Sequence, residues 1–307
     1  MTKLDQRGDI AVAEIVVYIP ILILSVILVI RNGFTRQAGW IYLVILSLIR
    51  IVGSCAAIAS EYNTSNENLE ITALSLESAG VSPLLLATLG FLRTICQDTL
   101  DRDPLIAKGL KLLPLAGTIA LILAIVGGIN SGTGSTQSSI NQGLTLRHVG
   151  DIMFAVIFVL VVLLNGLCWA NRGSIAYNRR VLLAGITGAL PFVFVRVLYA
   201  VLSGFAPSLR GVNTDGQVVY VPSTSPLNTF NSLTGSWVAY LVMGVVPEFA
   251  TMLVYITVGT RVRLERDSAD AAYMLGRPSI QSDRESQEAL ARFQPRFEQP
   301  PNAYYAK

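Results

Sequence analysis

The chain has 307 residues, 52% of them hydrophobic and only 14% charged, with a formal net charge of +3. A soluble domain carries about 25% charged residues, and here the charge is missing from runs of membrane-spanning length, so the composition excludes an ordinary soluble globular protein. The small basic excess lies beside those runs and reads as an orientation signal, not as nucleic-acid affinity, while three cysteines (Cys55, Cys96 and Cys168) and the single His148 form neither a disulfide framework nor a zinc site.

Seven apolar runs predict seven spanning helices, over residues 10–30, 38–59, 71–95, 111–129, 149–170, 181–203 and 236–259. Each is near the ~20 residues a spanning helix needs. Helices are required because an open backbone cannot be satisfied in lipid. The first run contains Glu14 and lacks a small-residue cleavage site, so it predicts a span and not a cleaved signal peptide. Pro83, Pro191 and Pro247 fall inside later runs and predict kinks. The stretch 130–142, rich in Ser, Gly, Thr and Asn, reads as a flexible loop. In the long link 204–235, the turn signal Asn213-Thr214-Asp215-Gly216 precedes the strand-like Gln217-Val218-Val219-Tyr220-Val221. It predicts either a hairpin lying over the helix mouths or an ordinary loop.

Basic residues fix the orientation. Arg31 and Arg36, Arg102 and Lys108, Arg172, Arg179 and Arg180, and then Arg261, Arg263 and Arg266 mark one side. The other side holds Glu61, Glu67 and Glu70 with few cations. The expected fold is an all-α membrane protein, a seven-transmembrane helix bundle with its N-terminus outside or lumenal and its C-terminus cytosolic. Residues 1–260 form the bundle, and 261–307, polar and proline-bearing, form a disordered cytosolic tail. The Asn63-Thr64-Ser65 sequon lies on the outer side, which makes Asn63 the expected glycosylation site. The endoplasmic reticulum is the expected membrane, with the plasma membrane as the alternative.

Several segments carry a resemblance: Ala13-Glu14-Ile15-Val16-Val17-Tyr18-Ile19-Pro20, Arg31-Asn32-Gly33-Phe34, Gly39-Trp40-Ile41-Tyr42, Leu48-Ile49-Arg50-Ile51-Val52-Gly53 and Gly80-Val81-Ser82-Pro83-Leu84-Leu85-Leu86. Together they resemble a fungal family of seven-span integral membrane proteins defined only as a domain of unknown function. The resemblance runs over about residues 8–260 and implies the seven-helix topology and a fungal origin. It implies little about activity.

Chemistry, if any, is carried by charges placed in apolar runs: Glu14, Arg50, Glu77, Arg196 and Glu248. A charge at the bilayer core costs about 3 kcal/mol or more, so such groups face a protein interior or a watery cavity. A rise of 1.5 Å per residue puts all five about 6 to 18 Å below the outer boundary, which predicts one cluster. Tyr18 follows Glu14 by one turn, Tyr199 follows Arg196, and Ser47 and Ser54 flank Arg50, so hydroxyls share faces with charges. Asp151 and His148 share a face at the rim of the fifth span.

Three carboxyls against two guanidiniums leave one carboxyl without a deep counter-charge, and burial then favours its neutral, proton-donating form. Glu248 is the first candidate for a catalytic acid, then Glu77 and Glu14. Arg50, Arg196, Tyr18, Tyr199 and Asp151 are the candidate substrate-binding residues.

The expected function is a cofactor-independent, metal-free enzyme that cyclises or isomerises a lipophilic isoprenoid or meroterpenoid substrate in fungal secondary metabolism. The likeness to small membrane-bound fungal terpene cyclases is one of architecture only. Trp40, Trp169, Trp237, Tyr18, Tyr199 and Phe194 are the aromatics available to stabilise a cation. A seven-helix receptor or sensor, or a small-molecule transporter, is the alternative. The third span ends Leu92-Arg93-Thr94 and not Asp-Arg-Tyr, no lysine occupies the seventh span, and no repeat marks a carrier. The expected partners are a lipophilic small molecule and membrane lipid, with no nucleic acid.

Overall fold

The computed structural model describes residues 5–32, 38–62, 67–96, 104–134, 136–175, 177–207, 210–212, 218–220, 225–231 and 235–262. Asn63, the 213–216 turn signal and the tail from 263 onward lie outside them.

Among the described residues, seven helices are long and apolar enough to cross a membrane. α1 (Gln6–Asn32) and α2 (Ala38–Tyr62) pack side by side, and the third span is two helices, α3 (Glu67–Ala79) and α4 (Val81–Cys96). α5 (Pro104–Thr133), α6 (Gln137–Ala170) and α7 (Tyr177–Gly204) follow. The seventh span runs from α8 (Trp237–Ala239) through a π-helical segment, Tyr240–Val245, into α9 (Val246–Arg261).

One span occupies the middle. The third is 89% buried, against 28–44% for the other six. Its neighbours present Val16, Ile23, Ile30, Leu163 and similar side chains outward, as lipid-facing helices do when no water has to be satisfied.

The helices differ from the apolar runs in instructive ways. The third run is broken at Gly80, not kinked at Pro83. Pro83 sits in the first turn of α4, where a missing N–H costs nothing. The stretch read as a flexible loop is mostly helix: α5 continues to Thr133 and α6 starts at Gln137, with Thr136 accepting from the Ser139 N–H as its cap. Hydropathy marks only the apolar length, whereas a helix extends as far as its backbone bonds and caps allow.

The α5–α6 pair is held by close backbone approach. A Cβ at Gly127 would meet the Arg147 backbone nitrogen at 2.5 Å, and one at Gly150 would meet the Ala120 carbonyl at 2.9 Å. Small residues at these positions let the two helices touch.

Within the strand-like run, Val218–Tyr220 is a strand. β1 (Arg210–Val212) and β2 (Val218–Tyr220) pair antiparallel, with Gly211 opposite Val219. β1 packs against α6. At the far end of the bundle, Arg31 donates to the carbonyls of Gly259, Thr260 and Val262, which supplies donors to the open C-terminal turn of α9. Below the charged layer, Trp40, Phe91 and Tyr255 pack in tilted and edge-to-face contacts at centroid distances of 4.5 and 5.0 Å, and the Tyr255 hydroxyl lies 2.7 Å from that of Thr88.

Candidate functional site: a buried charge network beside an apolar groove

Four helices bring polar side chains to one layer by ordinary helical spacing. α1 places Glu14 and Tyr18 one turn apart, α2 places Arg50 and Ser54 likewise, and α7 places Arg196 and Tyr199 on one face. The seventh span supplies Glu248, and the break at Gly80 brings the backbone of the third span alongside.

Glu248 is the hub. It is 0% exposed, yet it accepts from four donors. The Arg50 guanidinium engages both of its oxygens in a fork, through Nε and Nη2. Arg196 Nε donates to Oε2 at 2.9 Å, and the Tyr18 hydroxyl to Oε1 at 3.2 Å. Forked Arg–carboxylate pairs are among the strongest polar contacts available.

Glu14 is the second acceptor. Ser54 donates to its Oε2 at 2.6 Å and the Tyr240 hydroxyl to its Oε1 at 2.9 Å, while Arg50 Nη1 stands 3.8 Å away. Arg196 completes its own set by donating to the Glu77 backbone carbonyl at 3.0 Å and lying 5.8 Å from the centroid of the Tyr199 ring.

These contacts redistribute the roles expected from sequence. Glu248 does not stand uncompensated: two guanidiniums and a phenol commit its lone pairs, which is the environment of a carboxylate and not of a neutral proton donor. Glu77, half-buried, has charges around it but no direct contact with them. Among the described residues no hydrogen bond or ion pair reaches its side chain, although Arg50, Arg196, Arg7 and Glu14 all lie within electrostatic reach.

Asp151 is not part of the network. The early start of α6 puts it well inside the helix and not at a rim. It is buried against Gly204, and its Oδ2 has no partner among the described residues. One turn earlier Arg147 donates to Ser203 at 3.3 Å, and His148 stacks on Phe205 at 4.4 Å.

Beside the network lies a groove of about 450 Å³ between α1 and the seventh span. Its wall includes Gln6, Asp9, Glu14, Tyr18, Trp237 and Phe249. The groove therefore combines carboxyls with aromatic rings, and among the described residues no Lys or Arg lines it. α1 packs along α2 but only lightly against α9, so the groove opens sideways between helices.

Of the aromatics expected to face a cation, Tyr18 and Trp237 line the groove and Tyr199 underlies Arg196. Trp40 belongs to the aromatic stack, Trp169 donates to Thr187 at 2.7 Å, and Phe194 is half exposed on the outer face of α7. Among the described residues no group of three or more His, Cys, Asp or Glu side chains is placed to hold a metal ion.

Tyr240 is a site residue that spacing alone does not reveal. At about 100° per residue, the eight residues to Glu248 leave the two side chains about 80° apart on a regular helix. The wider π turns of Tyr240–Val245 rotate less per residue and bring Tyr240 towards the Glu248 face. The visible signal was Pro247, which lacks the N–H that would continue the α-helical ladder.

A family model described as a domain of unknown function, DUF7702, matches residues 4–222. The seventh span, with Tyr240 and Glu248, lies beyond the matched residues. No curated protein and no solved structure matches the chain. With most of its length matched, the chain belongs to the DUF7702 family.

Proposed function

We propose that the protein is a membrane-embedded enzyme that admits a lipophilic, isoprenoid-like substrate sideways from the bilayer and isomerises or cyclises it through a cationic intermediate. The observation that carries this reading is the composition of the groove. Two acidic residues, Asp9 and Glu14, and the aromatic residues Tyr18, Trp237 and Phe249 line one largely apolar space, with no opposing cation among the described residues that line it. Such a wall favours positive charge developing on an apolar ligand.

The three deep carboxyls then divide the work. Glu248 anchors the helices through both arginines. Glu14 reaches the groove and opposes the developing charge. Glu77, with no fixed counter-ion of its own among the described residues, is the proton donor. Fungal origin, a place in secondary metabolism, residence in the endoplasmic reticulum, a lumenal N-terminus with a cytosolic C-terminus, and a glycan on Asn63 belong to the same proposal. Glycosylation mapping at Asn63 in sealed microsomes reads that orientation directly.

The test is turnover of linear prenylated or epoxidised substrates in microsomes. Glu77→Gln is expected to lower product formation about a hundredfold or more while the protein remains folded. Normal turnover by both Glu77→Gln and Glu14→Gln would remove the acid-initiated mechanism.

A receptor or sensor is the second reading, favoured by one observation: Glu14 and Tyr18 belong to both the groove and the network that joins four spans. A ligand displacing either contact would be felt on α2, α7 and the seventh span. Tight binding of a lipophilic ligand without any product would favour it.

A further inference from the structure

We infer that Cys96 and Cys168 form a modification site, a dithiol that closes into a reversible disulfide on meeting a low-molecular-weight disulfide. The inference is independent of the proposed enzyme chemistry. The two Sγ atoms lie 3.3 Å apart although the residues are 72 positions apart in sequence. Both side chains are buried, at 1% and 0% exposure, and both are thiols. A disulfide needs its sulfurs at about 2.05 Å, so the two sulfurs stand only ~1 Å beyond bonding distance.

Position makes the pair reactive as well as close. Cys96 is the last residue of α4, and Cys168 stands two residues before the end of α6. Helix ends open locally at low cost, which admits a small reagent that the bundle interior would exclude. Cys55, by contrast, lies exposed on α2 and has no thiol neighbour among the described residues. The bond would tie the central helix to the fifth span. The other end of that central helix follows Gly80, which lies beside the Arg50–Glu248 fork.

The chemistry balances without any cofactor. One thiolate attacks the reagent disulfide and displaces one small thiol, leaving a mixed disulfide on the protein. The neighbouring thiolate then attacks the protein sulfur of that mixed disulfide and displaces the second small thiol. Two protein thiols are oxidised, the reagent disulfide is reduced to two thiols, and the two protons pass to them.

The experiment uses the full chain in detergent with 2,2′-dithiodipyridine, a membrane-permeant aromatic disulfide. A linked Cys96–Cys168 peptide is expected by mass spectrometry, free of pyridyl adduct, reversed by dithiothreitol and absent in Cys168→Ala. Cys55 should retain a pyridyl adduct in the same sample. The oxidised protein should also unfold at a higher temperature than the reduced one, a difference that Cys168→Ala loses. Unreacted thiols or separate pyridyl adducts on both Cys96 and Cys168, in native protein whose Cys55 has reacted, would overturn the inference.

Discussion

At the scale of single residues, the decisive fact is how Glu248 is paired. A buried ion pair contributes little net stability when whole, because desolvation of its members offsets their attraction. Breaking it is another matter, since the surviving charges stay buried without a partner. Glu248→Gln leaves both Arg50 and Arg196 short of a counter-charge, and the expected loss is about 3 to 5 kcal/mol. Thermal unfolding in detergent measures it, and Glu14→Gln, which removes only a 3.8 Å ion pair and leaves hydroxyls able to turn and accept from the new amide NH2, should cost clearly less. Equal destabilisation by the two variants would contradict a hub at Glu248. The charged residues were legible in the sequence because a charge among apolar neighbours stands out. Their pairing was not, because it depends on which helix faces meet. The count of three carboxyls against two guanidiniums was readable too, but only packing assigns the spare carboxyl to Glu77.

At the scale of elements, three local departures from a regular helix build the site. Gly80 breaks the third span where a Cβ would come within 3.3 Å of Glu248 Oε2 and 3.4 Å of Arg50 Nε. The π segment turns Tyr240 towards Glu14. Pro247 stands in the first turn of α9, one residue before Glu248. Hydropathy registered all three stretches as plain spans, since apolar content says nothing of backbone register. Helix packing gives a further prediction. A side chain at Gly143 would run into the Gly127 carbonyl at 2.8 Å, so Gly143→Leu is expected to destabilise the α5–α6 pair by about 1 to 3 kcal/mol. A Cβ at Gly166, on the same helix, would meet nothing within 4 Å, so Gly166→Leu serves as the neutral control in the same melting experiment. Similar melting temperatures for the two variants would show that α5 and α6 do not touch as described.

At the scale of the whole molecule, seven apolar helices among the described residues include one buried span packed against α2, α5, α6 and α7, and a charged layer joins four of the spans. The span count was legible because lipid dictates both length and helicity. The groove was not, because it arises from the light packing of α1 on the seventh span, a relation between the two ends of the chain. The central claim is that this groove receives an apolar ligand bearing positive charge. It is tested most directly by equilibrium binding of a tertiary amine carrying an isoprenoid chain, compared with its uncharged ether isostere, to the purified protein. The amine is expected to bind at least about tenfold tighter than the ether, a preference worth about 1.4 kcal/mol. Glu14→Gln should erase that preference, and Ala13→Trp, which puts a bulky side chain into the groove, should abolish binding of both. Equal affinity for amine and ether in the wild type, or amine binding that survives Ala13→Trp unchanged, would contradict the account.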